Sequence, residues 1–134
     1  MNQFQIVNLA DAVQPPEDGI ISRTVHNDEQ IKAVAFGFGA GQELSEHTAS
    51  LPAVMHFLSG TADVTLGGQK VAAAVDTWIH MPAGMPHSIV AQTPVVMLLL
   101  LLKVEETGRC LILPAPRQDA RLRHRRIKSL SVVG

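Results

Sequence analysis

Short apolar segments separated by glycine, proline and small polar residues fill the chain from residue 20 to residue 102. Residues 62–66 alternate apolar and polar side chains with a period of two, which predicts a strand with one buried face. Gly67 and Gly68 follow directly. A Gly-Gly pair between two strand-like segments predicts a hairpin, because both turn positions need positive φ. Further strand-like segments cover 31–38, 43–47, 53–59, 69–71, 78–81, 87–91 and 95–102. Many short strands with frequent turns favour an antiparallel sandwich or barrel.

The segment 95–102 is apolar at every position, so it would be buried on both of its faces. In an antiparallel barrel, only one face of a strand meets the core. The other face needs a second cover, and a partner subunit would provide one, which predicts a homodimer. Alternatively, the N-terminal segment of the same chain covers that face of a β-sandwich.

Composition and length define the kind of core. The chain has 134 residues, of which 46% are hydrophobic and only 4% aromatic, so the core of a single domain must be mainly aliphatic. The 10 Gly and 8 Pro again favour short strands over long helices. We divide the chain into an irregular lead-in over 1–19, a barrel over 20–116 and a basic tail over 117–134.

The net charge of −1 averages two oppositely charged parts. Residues 117–134 hold six Lys or Arg and one acidic residue, whereas residues 1–116 hold five basic and eleven acidic residues. The tail could form a short basic helix or remain irregular. Three roles stay open for it: a solvated tail, an arm on the acidic body of a partner, or a polyanion contact. No aromatic residue lies between its basic residues, so nucleic-acid binding is not favoured.

The sequence also indicates a compartment. Cys110 is the single cysteine, so no disulfide can form within the chain, which is typical of a reducing environment. The N-terminus has no basic region followed by an apolar stretch. The segment 95–102 is far shorter than the ~18 apolar residues that span a bilayer. We therefore expect a cytoplasmic protein without membrane contact.

Two of the six histidines lie where turn residues lead into a strand. His87 follows a bend rich in proline and glycine at 82–86, and His47 follows a glycine turn. Such a bend holds a side chain rigidly at a strand end, which suits a metal ligand or an acid–base group. His26 and His124 are expected at the surface.

These residues resemble the two motifs of the cupin superfamily. The first motif is G-x5-H-x-H-x3,4-E-x6-G, and the second is G-x5-P-x-G-x2-H-x3-N. The matching residues are Gly41, His47 and Gly60 in the first motif and Pro82, Gly84 and His87 in the second. The resemblance covers about residues 31–102, with the Gly-Gly hairpin between the motifs. It implies an all-β fold, specifically a small antiparallel jelly-roll β-barrel of the single-domain, conserved-barrel type.

The chain departs from the family at positions that matter for a metal. Ala49 stands where the first motif has its second histidine, and Ala53 stands where it has its glutamate. In the second motif, the opening glycine falls near Val75–Asp76, out of register by a residue, and Ala91 replaces the asparagine. Of the four usual metal ligands, only the two motif histidines remain. Two imidazoles do not hold a divalent ion firmly, since typical sites use three or four protein ligands.

His56 or His80 would restore a three-histidine site if its side chain pointed inward. Strand parity places His56 on the face opposite to Ala53 unless a bulge intervenes, and it leaves the face of His80 undecided. Three imidazoles with an open position would suit one divalent transition metal, such as Zn, Fe, Ni, Mn or Cu. The candidate pocket-lining residues are Ala49, Ala53, Met55, Phe57 and Trp78.

The resemblance leaves several functions open. In the first, His47 and His87 hold a metal that supports oxygenase, isomerase or decarboxylase chemistry on a small organic molecule. In the second, a regulatory or binding dimer holds a small molecule without turnover and without tightly bound metal. In the third, a structural dimer retains only a vestigial pocket. Fold alone does not decide among these functions.

Overall fold

Residues 3–103, which the computed structural model describes, contain nine strands and one short helix. The elements are α1 Leu9–Ala12, β1 Ile20–Asn27, β2 Ile31–Phe38, β3 Glu43–His47, β4 Ala53–Ser59, β5 Ala62–Leu66, β6 Gln69–Ala73, β7 Trp78–Met81, β8 His87–Ala91 and β9 Val95–Leu102. Each strand predicted from the pattern is present, and β6 continues to Ala73. The predicted barrel boundary at residue 116 and the basic tail 117–134 lie outside the described residues. Within the described range, no helix is long and apolar enough to cross a membrane.

The strands form two antiparallel sheets. The first has the order β1-β2-β9-β4-β7, and the second has the order β3-β8-β5-β6. Short links pass from one sheet to the other, so β2 faces β3, β4 faces β5, β6 faces β7, and β8 faces β9. The links that make these crossings are 39–42, 60–61, 74–77 and 92–94. The predicted all-β jelly-roll fold is confirmed.

The two ends of this sandwich differ in how fully the core fills them. We call the end with the four crossing links the closed end, and there Phe38, Phe57 and Val95 are fully buried. We call the opposite end, with the links 48–52 and 82–86, the open end. Four apolar side chains that pack on the core near the open end are only partly buried. These are Leu66, Met85, Leu99 and Leu101. The edge of the core therefore meets solvent at the open end.

The N-terminal segment, residues 3–19, covers part of the outer face of the five-stranded sheet. A Cβ atom at Gly37 would lie 3.0 Å from the carbonyl oxygen of Gln14, so the segment packs directly on the β2 backbone. Ala35 lies on the same outer face and is 0% exposed. At β2, the outer face of the sheet is therefore covered by the N-terminal segment of the same chain.

Side-chain hydrogen bonds connect this segment to the β1–β2 turn. The Nδ1 atom of His26 lies 3.2 Å from Oε1 of Gln5, and its Nε2 atom lies 2.8 Å from Oδ2 of Asp28. The Asp28 carboxylate also accepts the backbone N–H groups of Gln30 and Ile31. The bond from His26, together with these backbone bonds, holds the pKa of Asp28 well below its usual range. One carboxylate thus orders the turn and, through His26, holds the N-terminal segment.

The motif glycines mark positions where the backbone is left-handed. Gly60 has a φ of 85°. Asp76 has a φ of 71°, and it lies at the G-x5-P spacing before Pro82. The one-residue offset inferred from the sequence is therefore corrected. Asp76 stands at the position of the motif's opening glycine and keeps the glycine's conformation, which aspartate tolerates better than most residues.

Substitution of Gly60 tests how tightly the closed end is packed. A Cβ atom there would overlap the carbonyl oxygen of Pro94, whereas a Cβ atom at Gly68 would meet nothing within 4 Å. Both glycines have positive φ, so both alanine variants carry a similar backbone strain of about 1–2 kcal/mol. We expect Gly60→Ala to lose about 2 kcal/mol more than Gly68→Ala, because the overlap must be relieved by backbone movement. Urea unfolding of both variants measures the difference, and equal losses would contradict the packing described here.

The homodimer stays a prediction. We expect the partner subunit to contact the exposed apolar surface at the N-terminal segment. Phe4 and Ile6 are 85% and 84% exposed, and a cleft of about 430 Å³ separates Phe4 from Leu98 of β9. Contiguous exposed apolar surface favours association. Light scattering should therefore give twice the chain mass of 14.4 kDa, and the double substitution Phe4→Ser with Ile6→Ser should shift the equilibrium toward monomer. A monomer at every concentration would show that the segment covers the sheet alone.

Candidate functional site

His47 and His87 meet at the open end of the sandwich. They are direct cross-strand partners in the pairing of β3 with β8. Their ring centroids lie 4.2 Å apart, with the ring planes tilted by 60°. His87 is only 6% exposed, whereas His47 lies at the rim and is exposed. One imidazole is therefore inside the barrel and the other borders solvent.

A β-bulge in β3 places His47 on the inner face. Leu44 pairs with Ile89, and His47 pairs with His87, with a register shift between the two pairs. On a regular strand, an offset of three residues would put Leu44 and His47 on opposite faces. The bulge adds one residue to β3, so both side chains point inward. The only sequence signal of this bulge is the weak alternation of apolar and polar residues over 43–47.

The proline-rich bend 82–86 fixes the start of β8. The N–H of Gly84 donates to the carbonyl of Ala49 at 2.8 Å, and the N–H of Gly67 donates to the carbonyl of Pro86 at 2.8 Å. The bend is therefore bonded to the loop after β3 and to the β5–β6 hairpin. Both neighbours of the bend are rim elements of the open end, so His87 is presented from a rigid frame.

Each histidine of the pair uses its Nδ1 atom to bond the backbone. Nδ1 of His47 lies 2.9 Å from the carbonyl oxygen of Ser45, and Nδ1 of His87 lies 2.9 Å from that of Met85. A carbonyl oxygen only accepts, so Nδ1–H must donate in both cases. In the neutral imidazole, the lone pair then resides on Nε2. The pair thus offers two Nε2 acceptors for a ligand.

The inner surface around the pair is apolar. Leu66 is the partner of His87 on the other side of β8. Ala53, Met55 and Phe57 lie on the inner face of β4, as the sequence predicted from their common parity. Phe57 lies at the closed end, away from the histidine pair, and Ala49 lies in the loop after β3.

Three of the residues considered for the pocket lie on the outer face of the first sheet. His56 pairs with Trp78 and Val54 pairs with His80, and the alternate residues of β4 form the core. Nε2 of His56 lies 3.5 Å from Oδ1 of Asp76, and Trp78 is 60% exposed. No bulge reverses the parity of β4 at this point, so none of the three residues contributes to the inner surface.

The side chains present do not fit a firmly held divalent metal. Among residues 3–103, no group of three His, Cys, Asp or Glu side chains is close enough to share an ion. Ala53 is buried on the inner face, at the position where the first cupin motif has its glutamate. Two imidazoles provide only half of a typical ligand set.

Comparison with known proteins identifies the fold. No protein-family model and no curated protein matches the chain. A conserved protein of unknown function from Streptococcus pyogenes is 30% identical, with a TM-score of 0.68, over 78% of this chain and 92% of its own. An RmlC-like cupin from Desulfovibrio desulfuricans is 26% identical, with a TM-score of 0.68, over 75% and 98% of the two chains.

A third solved structure is an enzyme, salicylate 1,2-dioxygenase from Pseudoaminobacter salicylatoxidans. It is 16% identical, with a TM-score of 0.60, over 62% of this chain and 25% of its own, and it shows the fold alone. A jelly-roll barrel with a histidine pair at its open end defines a cupin-type protein. The chain belongs to the cupin superfamily.

The hydrogen bonds at Nδ1 predict an unusual tautomer for both histidines of the pair. We expect ¹⁵N NMR spectra above pH 8 to show the proton on Nδ1 of His47 and His87, since a backbone carbonyl accepts it in each case. His80, which is exposed on the outer face, serves as the reference and should show the Nε2–H form that free imidazole side chains favour. Nε2–H signals from both members of the pair would contradict the bonding described here.

Proposed function

We propose that the protein binds a small, largely apolar organic molecule at the open end of the barrel, with His47 and His87 as its polar anchors. The observation that carries this proposal is the histidine pair itself, with ring centroids 4.2 Å apart beside the apolar core of the barrel. Ligand pockets are commonly apolar concavities with a few fixed polar groups. The proposed pocket has this composition.

The chemistry of the anchors defines what they can hold. With Nδ1–H bonded to the backbone, each neutral imidazole presents Nε2 as an acceptor, so a hydroxyl or N–H group of the ligand can donate to it. His87 is nearly buried, and a hydrogen bond shielded from water is electrostatically stronger than an exposed one. Leu66 and the other partly buried leucines then take up the apolar part of the ligand.

Metal-dependent chemistry is the second candidate function. One observation favours it: a metal-binding histidine typically donates its other ring N–H to a carbonyl or carboxylate, as both members of the pair do. With only two protein ligands, an ion would need further donors from the bound molecule. Such an ion would be held weakly in the absence of that molecule.

Ligand binding is tested with matched histidine variants. We expect His87→Ala to reduce the affinity for a small phenol, such as 4-hydroxybenzamide, by about ten-fold, because one buried hydrogen bond and one wall of the pocket are lost. His56→Ala is the control, since His56 lies on the outer face, and it should leave the affinity unchanged. NMR titration measures both. Equal affinities in the two variants and the wild type would refute the proposal.

Elemental analysis decides between the two candidates. We expect the purified protein, incubated with Zn²⁺ and desalted, to retain much less than one ion per chain. Retention of one ion per chain that is lost in His47→Ala and His87→Ala, but kept in His56→Ala, would instead establish a metal centre at the pair.

A further inference from the structure

We infer that the ligand of this pocket carries a carboxylate, and that Lys32 at the open end recognises it. This inference rests on the proposed function, since it names the chemical class of the molecule that the barrel binds. It adds a specificity-determining residue that neither cupin motif contains.

The register of the first sheet places Lys32 on the inner face. Lys32 pairs with Leu101, Leu101 pairs with Ala53, and Ala53 pairs with Met81. Direct cross-strand partners share a face of the sheet. Ala53 and Met81 belong to the buried core, and Leu101 packs against it. The whole row therefore faces inward, and Lys32 lies at its end.

The same end of the sandwich contains the histidine pair. The link 39–42 joins β2 to β3, so these strands face each other, and Lys32 and His47 both lie at the ends of their strands remote from this link. Sheets in such a sandwich lie about 10 Å apart. A lysine side chain reaches several ångströms into that space. A small molecule can thus contact both the ammonium group and the imidazoles.

The carboxylates of the open end lie at its rim or on the outer face of the first sheet. Glu46 lies exposed in the bulge of β3, and Glu29 lies exposed in the β1–β2 turn. The Asp28 carboxylate is bonded to His26, which pairs with Ala33 on the outer face.

Lys32 lies on the inner face, and the ammonium group of a second lysine lies close to it. Lys103 donates from Nζ to Oδ1 of Asn27 at 2.6 Å, and Asn27 is the partner of Lys32. Two ammonium groups therefore border the open end. Among residues 3–103, Lys32 forms no ion pair with a carboxylate. This arrangement favours an anionic ligand over a neutral or cationic one.

Lys32 and the histidine pair together define which chemical groups the ligand carries. Lys32 offers a positive charge, and the Nε2 atoms of the histidine pair offer acceptors. A molecule that satisfies both has a carboxylate at one end, a hydroxyl or amine donor at the other, and an apolar body between them. 4-Hydroxybenzoate has this form, and 4-hydroxybenzamide is its neutral counterpart of the same shape.

The test compares these two probes by NMR titration of the full chain. We expect the wild type to bind the carboxylate about ten-fold tighter than the amide, since a hydrogen bond to a charged partner is stronger than one between neutral groups. Lys32→Met should abolish this preference without weakening amide binding. Lys32→Arg should keep it, and Lys70→Met, at an exposed lysine of β6, should leave both affinities unchanged.

Different results would overturn the role of Lys32 and the proposed ligand binding. If the wild type binds both probes equally, or if Lys32→Met keeps the preference for the carboxylate, the inference is overturned while ligand binding at the histidine pair stands. If neither probe binds, or if His87→Ala leaves both affinities unchanged, the proposed function fails and the inference fails with it. Circular dichroism of each variant confirms that the fold is retained.

Discussion

The strand β9 is apolar on both faces, and the architecture depends on covering each of them. Its inner face, with Val95 and Met97, is covered by the second sheet. Its outer face lies beside the N-terminal segment, which packs on the neighbouring strand β2 at Gly37. Either face left uncovered would expose half of its apolar side chains to water, whatever the position of the strand in the sheet. It lies between β2 and β4, at the centre of the five-stranded sheet.

The position of the histidine pair depends on how the core is packed at the two ends of the sandwich. At the closed end, short links hold the sheets together, and large side chains such as Phe38 and Phe57 fill the interior. At the open end, the small side chain of Ala53 is buried, and the partly buried Leu66 and Leu101 border solvent. The histidine pair lies at this transition, where one imidazole is buried and the other meets solvent. The proposed ligand would exchange water for an apolar wall there while keeping a polar contact.

At positions of the cupin motifs, this chain has the expected backbone conformation even where its side chain differs from the motif. Asp76 adopts the left-handed conformation of the glycine that it replaces, and Gly60 retains its close contact with Pro94. The frame that presents His47 and His87 thus survives without the other two usual metal ligands. The frame and a metal site depend on different groups, since backbone hydrogen bonds of the rim hold the frame and side-chain donors would hold a metal.

The sequence by itself determined eight of the nine strands, several of their turns and the two motif histidines, because these depend on local alternation, on glycine at positive φ and on fixed spacing. The strand β1 was not predicted. The sequence also indicated that both faces of β9 are buried, because every residue of the strand is apolar. Strand parity also placed His56 on the face opposite to Ala53. Only the tertiary structure decided which segment lies over β2, that His80 and Trp78 face outward, and that Lys32 shares the inner face with Ala53. These outcomes depend on the register between strands distant in the sequence, and the inward position of His47 depends on the bulge in β3. Single-strand parity cannot supply either, since one extra residue in a strand reverses the face of every residue that follows.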